Sequence, residues 1–431
     1  MTRGCNLKMS VWKAFLGLIL MLAFSGCGDR LDKLLSEQKY PEAEAYCGEQ
    51  SGDDQQTCFQ RLADSLLVRR EFTRAFRAYE QAGLKQEGAE KIAEILFAGE
   101  KFKSARHFYE VAALPEKIAA CNRQMLAGLE KLKDGSLLGE ALPEKYGFCL
   151  SDQTLAANVE AGGIRTYNLY SGAADTLLAW KDAVYKNLHL IDYDLKLLGS
   201  LGDNIFMTAP VVDSLSISPS GQSAPLNVLA IDPRQQWLAG GSWNDTIRCQ
   251  DLNNRELSQV FAGHQAAVAW LDFSAEGNRL VSGSLDGMLK VWDMNTGNEI
   301  CSASHGAPIN QVAISPDGQQ AVSCARDPQI KIWDAVSGSL LKTLEGHRSY
   351  VTCVRISSDG RQLISGDFDG KIRIWQLPSG KLLRQFAAHP SAIAAIRIAP
   401  NAGYFISSGF DFKVKFWWLE NKDTFLKQFR G

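Results

Sequence analysis

The chain has 431 residues, of which 45% are hydrophobic and 22% charged, and its formal net charge is −2. This composition is typical of a folded globular protein and leaves room for two or three domains. It lacks the basic excess of a nucleic-acid-binding protein, so nucleic acid is not an expected partner.

Residues 1–26 predict a secretory signal. Three basic residues precede an apolar run at 14–24, which is too short to span a membrane. The run leads into the sequence Phe-Ser-Gly-Cys at Cys27, which resembles the processing site of bacterial lipoproteins. The resemblance implies that Cys27 is lipidated and becomes the first residue of the mature protein. The alternative is an ordinary signal peptide that is cleaved nearby.

The residue after Cys27 bears on the location of the protein. In enterobacterial lipoproteins, an Asp at this place retains the protein in the inner membrane. By resemblance to that sorting rule, Gly28 favours the outer membrane, with the periplasmic side expected. Several acyl chains would hold the protein stably, since each buried methylene contributes about 0.8 kcal/mol.

Residues 27–140 predict a helical repeat region. Phe72 begins a run of Phe, Ala, Tyr and Ala at three- and four-residue spacing, and the same run recurs from Phe102. This spacing puts bulky and small side chains on one face of a helix. The pattern resembles tetratricopeptide-type helical hairpins, which implies a concave groove for peptides. The alternative is that the aromatic residues form only the core between helices and that the region is a spacer.

Two of the ten cysteines predict a disulfide. Cys47 and Cys58 lie symmetrically on either side of the segment Ser51–Asp54. If that segment is the turn of a helical hairpin, the two sulfurs face each other, and in an exported protein we expect them to be bonded. Such a bond contributes about 3 kcal/mol. The sequence contains no Cys-x-x-Cys and no His pair with ligand spacing, so neither a zinc site nor another cofactor is expected.

From residue 141 onward the pattern predicts strands, and one period governs it. A His, a Ser, an Asp and a Trp return four times in the same order, with successive Trp residues 41, 42 and 42 positions apart. Turns rich in Gly, Asp, Ser or Pro precede the Trp residues, as expected between paired strands. The four sets are His264/Ser282/Asp286/Trp292, His305/Ser323/Asp327/Trp333, His347/Ser365/Asp369/Trp375 and His389/Ser407/Asp411/Trp417.

These sets closely resemble those of the WD-repeat family. The resemblance implies that each repeat forms four strands and that its His, Ser, Asp and Trp make a buried hydrogen-bond chain. A Ser, a His and an Asp together also suggest a hydrolase triad. A catalytic site needs one constellation in one cleft, so four copies at one spacing favour the structural interpretation, in which a satisfied polar network rigidifies each repeat.

Two earlier segments match the strand that carries the Trp. Tyr167 and Gln250 stand at the Trp position and are 83 residues apart, so a further blade is expected between them. The count predicts an α+β multidomain fold, with N-terminal α-helical hairpin repeats followed by a seven-bladed antiparallel β-propeller at residues 141–431. The tail at 424–429 resembles an outer strand. The family resemblance implies that it completes the blade containing Tyr167.

Partner-binding residues are expected on one loop of each repeat. In the WD-repeat family, the residue before the turn Asp lies near the central channel, where partners usually dock. Aromatic residues and Arg anchor interfaces, and clustered exposed apolar side chains mark binding patches. The alternative is that some of these side chains pack between blades. The candidates are Trp243, Leu285, Arg326, Phe368 and Phe410, with Arg348 and Tyr350 in a neighbouring loop.

The sequence favours a membrane-anchored, non-catalytic scaffold that binds other proteins on the propeller loops and on the helical region. Four of the six His belong to the repeated sets, which leaves His107 and His189 without a nearby metal-ligand or nucleophile pattern. Two alternatives stay open. One is a ligand-binding or enzymatic propeller of the envelope, since propellers host both. The other is a cytoplasmic signalling scaffold, which requires that the N-terminus is not a signal.

Overall fold

The computed structural model describes residues 28–69, 71–99, 101–129, 131–134, 226–252, 258–400, 403–419 and 422, together with nine strands between residues 137 and 217. The chain forms two compact units. One contains Met1–Ile95 and His107–Leu114, and the other contains Leu96–Arg106 and Pro115–Gly431. The predicted signal at 1–26 and the predicted lipidation site at Cys27 lie outside the described residues.

The N-terminal part of the described chain is helical. The helices are α1 (Gly28–Ser36), α2 (Tyr40–Gly48), α3 (Asp53–Val68), α4 (Phe72–Gln81), α5 (Lys85–Ala98), α6 (Phe102–Val111) and α7 (Pro115–Leu129). Phe72, Ala75 and Tyr79 are buried on one face of α4, as their spacing predicts. Gly88 of α5 lies against the Tyr79 ring, which a β-carbon at position 88 would overlap. No helix in the described part of the chain is long and apolar enough to cross a membrane.

A disulfide joins the second helix to the third. Cys47 of α2 and Cys58 of α3 are bonded, with their Cα atoms 5.4 Å apart. The reversal between the helices occupies residues 49–52, so Asp53 and Asp54 lie in the first turn of α3. Carboxylates are favoured there because the helix dipole is positive at its N-terminus.

The strands form seven four-stranded antiparallel sheets within the described residues. Sheet 1 contains β2 (Phe148–Leu150), β3 (Thr154–Asn158), β4 (Ile164–Asn168) and β5 (Ala174–Leu178); sheet 2 contains β6 (Lys186–Ile191), β7 (Lys196–Leu201), β8 (Asn204–Thr208) and β9 (Leu215–Ile217); sheet 3 contains β10 (Leu226–Ile231), β11 (Trp237–Ser242), β12 (Ile247–Asp251) and β13 (Ser258–Phe261).

Sheets 4 to 7 carry the four repeated sets. Sheet 4 contains β14 (Val268–Phe273), β15 (Arg279–Ser284), β16 (Met288–Asp293) and β17 (Glu299–Ser304); sheet 5 contains β18 (Ile309–Ile314), β19 (Gln320–Ala325), β20 (Ile330–Asp334) and β21 (Leu340–Leu344); sheet 6 contains β22 (Val351–Ile356), β23 (Gln362–Asp367), β24 (Lys371–Gln376) and β25 (Lys381–Ala387); sheet 7 contains β26 (Ile393–Ile398), β27 (Tyr404–Gly409), β28 (Lys413–Trp418) and β1 (Leu137–Glu140).

The first strands of neighbouring sheets contact one another and form an inner wall. The contacts run from β2 through β6, β10, β14, β18 and β22 to β26, and β26 contacts β2. A radial array of four-stranded sheets is a β-propeller. The prediction of an antiparallel β-propeller preceded by a helical segment is therefore confirmed. Sheet 2 lies between the sheets of Tyr167 and Gln250, where a further blade is predicted.

The tail at 424–429 lies outside the described residues, but the position predicted for it is taken by another strand. The outer position of the sheet containing Tyr167 is taken by β5, which follows it directly in the chain. The strand that comes from elsewhere is β1, which pairs with β28 on the outer side of sheet 7. The sequence pattern detects an outer strand by resemblance to its neighbours, and the short segment Leu-Leu-Gly-Glu of β1 resembles none of them.

Glycines set how closely neighbouring sheets pack. Gly283 lies in β15, and a β-carbon there would come within 2.7 Å of Ile309 and 2.6 Å of Val312 in the next sheet. Gly366 in β23 stands in the same relation to Ile393, at 2.7 Å. The absent β-carbon lets branched side chains of one inner strand rest directly on the second strand of the preceding sheet, so the core runs continuously from sheet to sheet.

Candidate functional site

In sheet 4, the repeated residues form a continuous buried chain. Ser282 of β15 lies opposite Lys290 of β16, two residues from Trp292. The indole Nε1 of Trp292 donates to Ser282 Oγ at 2.8 Å, and His264 Nε2 lies 2.7 Å from the same oxygen. His264 Nδ1 lies 3.1 Å from Asp286 Oδ2. The chain thus joins two strands to the turn after β15 and to the segment before β14.

Sheet 7 repeats this geometry. Trp417 Nε1 donates to Ser407 Oγ at 2.8 Å, and His389 Nε2 lies 2.8 Å from the same oxygen. His389 Nδ1 lies 2.8 Å from Asp411 Oδ1. Trp417, His389 and Ser407 are buried, so the serine hydroxyl is enclosed by its partners.

Sheet 5 keeps the Ser–Trp hydrogen bond, but its His–Asp contact is longer. Trp333 Nε1 donates to Ser323 Oγ at 2.8 Å, and His305 Nδ1 lies 2.7 Å from that oxygen. The other ring nitrogen of His305 is 3.4 Å from Asp327 Oδ2, which is an ion-pair distance rather than a good hydrogen bond.

Sheet 6 corrects one predicted residue. Trp375 and His347 both bond to Ser365, at 2.9 and 2.7 Å. The carboxylate beside His347 Nδ1 belongs to Asp367, at 2.7 Å, and not to Asp369. Asp369 is exposed, and its backbone N–H donates to Asp367 Oδ1. Arg373 Nη1 lies 3.2 Å from Asp367 Oδ2 and completes a buried ion pair that the other three sheets lack.

Burial sets the protonation of these chains. It lowers the pKa of His264, His305, His347 and His389 below the ordinary 6.5, against the raising effect of the nearby carboxylates. Burial raises the pKa of Asp286, but hydrogen bonds from two backbone N–H groups and the adjacent His264 together lower it below its ordinary 3.8. A neutral imidazole has one donor and one acceptor nitrogen, which suits a link between a hydroxyl and a carboxylate.

A cation that the predicted sets do not include stands two residues before each Trp. Lys331 Nζ donates to His305 O at 2.6 Å, and Lys415 Nζ donates to Ala388 O at 2.7 Å. In these sheets the cation satisfies a carbonyl beside the His, so it extends the buried chain by one more bond. The recurrence is visible in the sequence at fixed spacing and could have identified these residues. They are Lys290, Lys331, Arg373 and Lys415.

The residues predicted to bind partners lie at one end of the propeller strands. Five of them directly follow the second strand of a sheet, and four of these five donate a backbone bond to a residue just before the first strand. Arg348 and Tyr350 instead lie just before β22, the first strand of sheet 6. Phe368 N donates to Tyr350 O at 2.9 Å, and Phe410 N to Ala392 O at 3.0 Å. Because the first strands form the inner wall, this surface surrounds the central opening. We call it the loop face, and it comprises Trp243, Leu285, Arg326, Arg348, Tyr350, Phe368, Phe410 and Phe412.

The loop face collects the exposed aromatic side chains. Five aromatic residues stand among the exposed large hydrophobic residues of the described chain, and all five belong to this face. Trp243, Phe368 and Phe410 are 57%, 60% and 54% exposed. Leu285 is only partly exposed, which agrees with the alternative that some side chains pack between blades. Phe412 was missed because the repeat pattern singles out only the residue before the turn Asp.

The loops of sheets 5 and 6 form a contiguous part of the loop face. Val351 N donates to Asp327 O at 3.1 Å, which holds the loop of Arg326 against the start of β22. Tyr350 and Phe368 are joined through their backbones in turn. The loop that carries the exposed Arg326 is therefore next to the loops that carry two exposed aromatic residues, and these are the residue types that anchor interfaces.

A second charged group lies inside the opening. The guanidinium carbon of Arg355 is 4.5 Å from the ring centre of Trp270, and that of Arg397 is 5.6 Å from the same ring. Burial raises the pKa of the neighbouring Asp272, and the two arginines oppose that rise. These residues come from inner strands of different sheets, so their side chains meet across the opening. No group of three or more His, Cys, Asp or Glu suited to a metal ion occurs among the described residues.

Comparison with known proteins identifies the repeats. The family model described as WD domain, G-beta repeat matches residues 255–293, 298–334, 338–376 and 380–417. Each matched segment ends within one residue of a Trp of the repeated sets. The chain therefore carries WD40 repeats, and its propeller is of the WD40 type.

The curated relatives are matched over short segments. The chain is 28% identical over 109 residues to the Poly(A)+ RNA export protein of Schizosaccharomyces pombe, which is 25% of this chain and 28% of that protein. It is 37% identical over 65 residues to the U3 small nucleolar RNA-associated protein 15 homolog of Xenopus laevis, which is 15% of this chain and 13% of that protein. The chain thus spans less than a third of the length of either relative.

Two solved structures share the fold. A chain in the crystal structure of the mitotic checkpoint complex aligns with a TM-score of 0.58 at 19% identity, over 68% of this chain and 95% of that one. The WD40 β-propeller domain of Doa1 aligns with a TM-score of 0.55 at 20% identity, over 66% of this chain and 97% of that one. At such identities the likeness shows the fold alone.

Proposed function

We propose that this chain, whose repeats form a WD40 β-propeller, is a non-catalytic scaffold that binds other proteins on its loop face. WD40 propellers generally bind other proteins. The observation that carries the proposal is the gathering of the exposed aromatic residues at one end of the strands, around the central opening. Backbone hydrogen bonds hold the loops of Phe368 and Phe410 at the ends of the strands, so less loop freedom is lost when a partner covers these rings.

The buried sets support a structural rather than catalytic role for the repeated Ser, His and Asp. Each serine is fully buried and accepts a hydrogen bond from a Trp indole. A nucleophile must reach its substrate, and an enclosed hydroxyl cannot do so. The chemistry available at the surface of the propeller is instead that of contact, through aromatic rings and guanidinium groups.

The test is affinity purification from cross-linked cells. The native protein is compared with a Trp243→Ala/Phe368→Ala/Phe410→Ala variant and with a control, Val68→Ala/Val260→Ala, that removes similarly exposed side chains elsewhere. We expect a defined set of proteins to come down with the native form and the control and to be lost from the triple variant. Thermal unfolding confirms that the triple variant is folded.

Two results would contradict the proposal. If the same proteins come down with all three forms, the loop face is not the binding surface and the helical region becomes the better candidate. If the native form enriches no protein above background, the scaffold function itself fails.

We propose further that Cys27 carries the lipid anchor of an envelope lipoprotein, in the outer membrane and facing the periplasm. The support is the basic and apolar pattern that precedes Cys27 and the Gly that follows it. Radiolabelled palmitate should enter the native protein and the Cys5→Ala control and should be absent from Cys27→Ala. Incorporation that survives in Cys27→Ala would exclude this anchor.

The proposed scaffold is a closed ring of seven blades at about residues 141–431, which takes one more outer strand from Leu137–Glu140, and tetratricopeptide-like hairpins in the helical region before that strand provide a second binding surface. The seven four-stranded sheets and the contact of β26 with β2 support the ring. The buried Phe, Ala and Tyr positions of α4 support helical hairpins.

A further inference from the structure

Five of the six exposed large aliphatic side chains in the described part of the propeller gather on a different surface from the aromatic ones. Leu340 and Leu341 of β21 are 50% and 51% exposed, and Leu382 and Leu383 of β25 are 38% and 44% exposed. Val336, in the turn before β21, is also exposed. β21 and β25 are the outermost strands of sheets 5 and 6. We call these five residues the rim patch.

The two leucine pairs are neighbours. Lys342 Nζ, beside the first pair, donates to Ser379 O just before the second pair. A β-carbon at Gly380 would lie 2.6 Å from Leu344 Cδ2, so the start of β25 packs directly on β21. The leucines therefore form one apolar surface across two sheets, whereas scattered single leucines need no explanation.

The strands also explain why both leucines of each pair point outward. In β21, Leu340 pairs with Trp333 and Lys342 with Ile332, so Leu341 is an extra residue in a bulge. β25 has the same bulge, with Leu383 as the extra residue. A bulge interrupts the regular alternation of a strand and disfavours the addition of another strand at that edge. The apolar surface therefore favours a partner that makes apolar contacts over one that adds a strand through backbone hydrogen bonds.

Lysines directly flank the leucines, whereas the acids nearby accept hydrogen bonds or form an ion pair. Lys342 and Lys381 directly flank the pairs and are exposed. The carboxylate of Asp334 accepts the backbone N–H groups of the turn before β21. Asp134 is paired with Arg384 at 3.1 Å. Long basic side chains beside apolar ones suit a surface with an apolar interior and anionic head groups.

The rim patch lies at the opposite end of the strands from the loop face. β21 and β25 begin at that end, whereas the second strands finish at the loop face, since adjacent strands are antiparallel. We propose that the rim patch rests on an anionic lipid bilayer and so turns the loop face away from the membrane. The proposal is independent of the lipid on Cys27 and goes beyond the binding of proteins.

The test reads the environment of single positions, so that attachment through any other segment does not affect it. An environment-sensitive fluorescent amino acid is incorporated at position 341, or as a control at Val260, a side chain of β13 that is 51% exposed. The full-length protein is mixed with vesicles of phosphatidylcholine and phosphatidylglycerol in equal parts. We expect the emission at 341 to shift to the blue and to lose its quenching by aqueous iodide, with no change at 260.

Further variants and vesicle compositions test whether an anionic bilayer is what covers the rim patch. Leu382→Ser/Leu383→Ser should abolish the shift at 341, and vesicles of phosphatidylcholine alone should weaken it. The proposal is overturned if neither position responds or if both respond alike. It is equally overturned if position 341 is already shielded without vesicles while light scattering gives twice the monomer mass, because the patch then joins two copies of the chain. A triple variant of the loop face should behave as the native protein in this assay, which separates the two proposals.

Discussion

The same short segment of sheet 6 carries two opposite kinds of residue. Ser365 is fully buried against His347 and Trp375, whereas Phe368, three residues later, is 60% exposed. The buried residue satisfies polar groups within the blade, whereas the exposed one makes a backbone bond to Tyr350 and leaves its ring largely in solvent. Within one repeat, some positions therefore serve folding and others serve binding. Mutations should affect one without the other.

The largest effect is expected at Gly370, on the buried side of this comparison. A β-carbon there would overlap the backbone oxygen of His389, in the segment that leads to the next sheet, and the residue has a φ of +75°. Gly297 has the same φ of +75° with nothing within 4 Å of such a β-carbon. We expect Gly370→Ala to lower the free energy of unfolding by about 4 kcal/mol or more and Gly297→Ala by about 1 kcal/mol. Urea unfolding measures both, and equal losses would show that backbone strain alone decides.

The corrected carboxylate provides the next test. Asp367 is 1% exposed between His347 and Arg373, whereas Asp369 faces solvent. Removing one partner of a buried ion pair leaves the other uncompensated, so Asp367→Asn should destabilise the protein by about 3 kcal/mol. Asp369→Asn should have little effect, as is usual for a surface substitution. Thermal unfolding distinguishes the two, and the reverse order would restore Asp369 to the buried set.

This correction shows what the spacing of a repeat can and cannot predict. The period fixes the register of the strands, and so it correctly brought together His, Ser and Trp in all four sheets. It does not decide between two carboxylates that are two residues apart. The positions equivalent to Asp367 hold Ser284, Ala325 and Gly409, so only sheet 6 offers a competing acid. Only there, too, does an Arg stand where the others have Lys.

The strand that joins sheet 7 could not be predicted from the sequence, for a different reason. β1 is four residues long and has no repeat partner, and its pairing with β28 is a contact between distant parts of the chain. Much of the loop face was easier to predict, because five of its residues occupy one position of the repeat, just before the turn Asp or its equivalent. The exposure of each side chain could not be predicted from the repeat, since Leu285 and Phe368 occupy equivalent positions and differ in burial.

Acid should weaken the buried sets and leave the loop face unaffected. Burial holds the pKa of His347 below its ordinary 6.5. As the pH falls below that value, the unfolded chain binds a proton that the folded chain does not, so stability is lost on acidification and is unaffected at higher pH. Each such histidine contributes a slope of at most about 1.4 kcal/mol per pH unit. The lowered pKa of Asp367 adds a further loss below its ordinary 3.8.

Urea unfolding across this pH range tests the source of the slope. His347→Gln should reduce the pH dependence by the share of one histidine, although it also lowers stability at neutral pH. The control is His107→Gln, at an exposed position of α6, which should keep the native slope. A slope that His347→Gln leaves unchanged would place the acid sensitivity outside the buried sets.

The smallest effect on stability is expected on the exposed side of the comparison. Phe410 is 54% exposed, and five residues earlier in the same sheet Phe405 is fully buried. Phe405→Ala should lower the free energy of unfolding by about 3 to 5 kcal/mol, because it leaves a cavity between sheets. Phe410→Ala should change it by less than about 0.5 kcal/mol. Exposing an aromatic ring to water has no structural benefit, so a ring that can be removed without loss of stability is kept outward for contact. If Phe410→Ala instead destabilises the protein as Phe405→Ala does, the ring packs between blades and the loop face has lost one of its anchors.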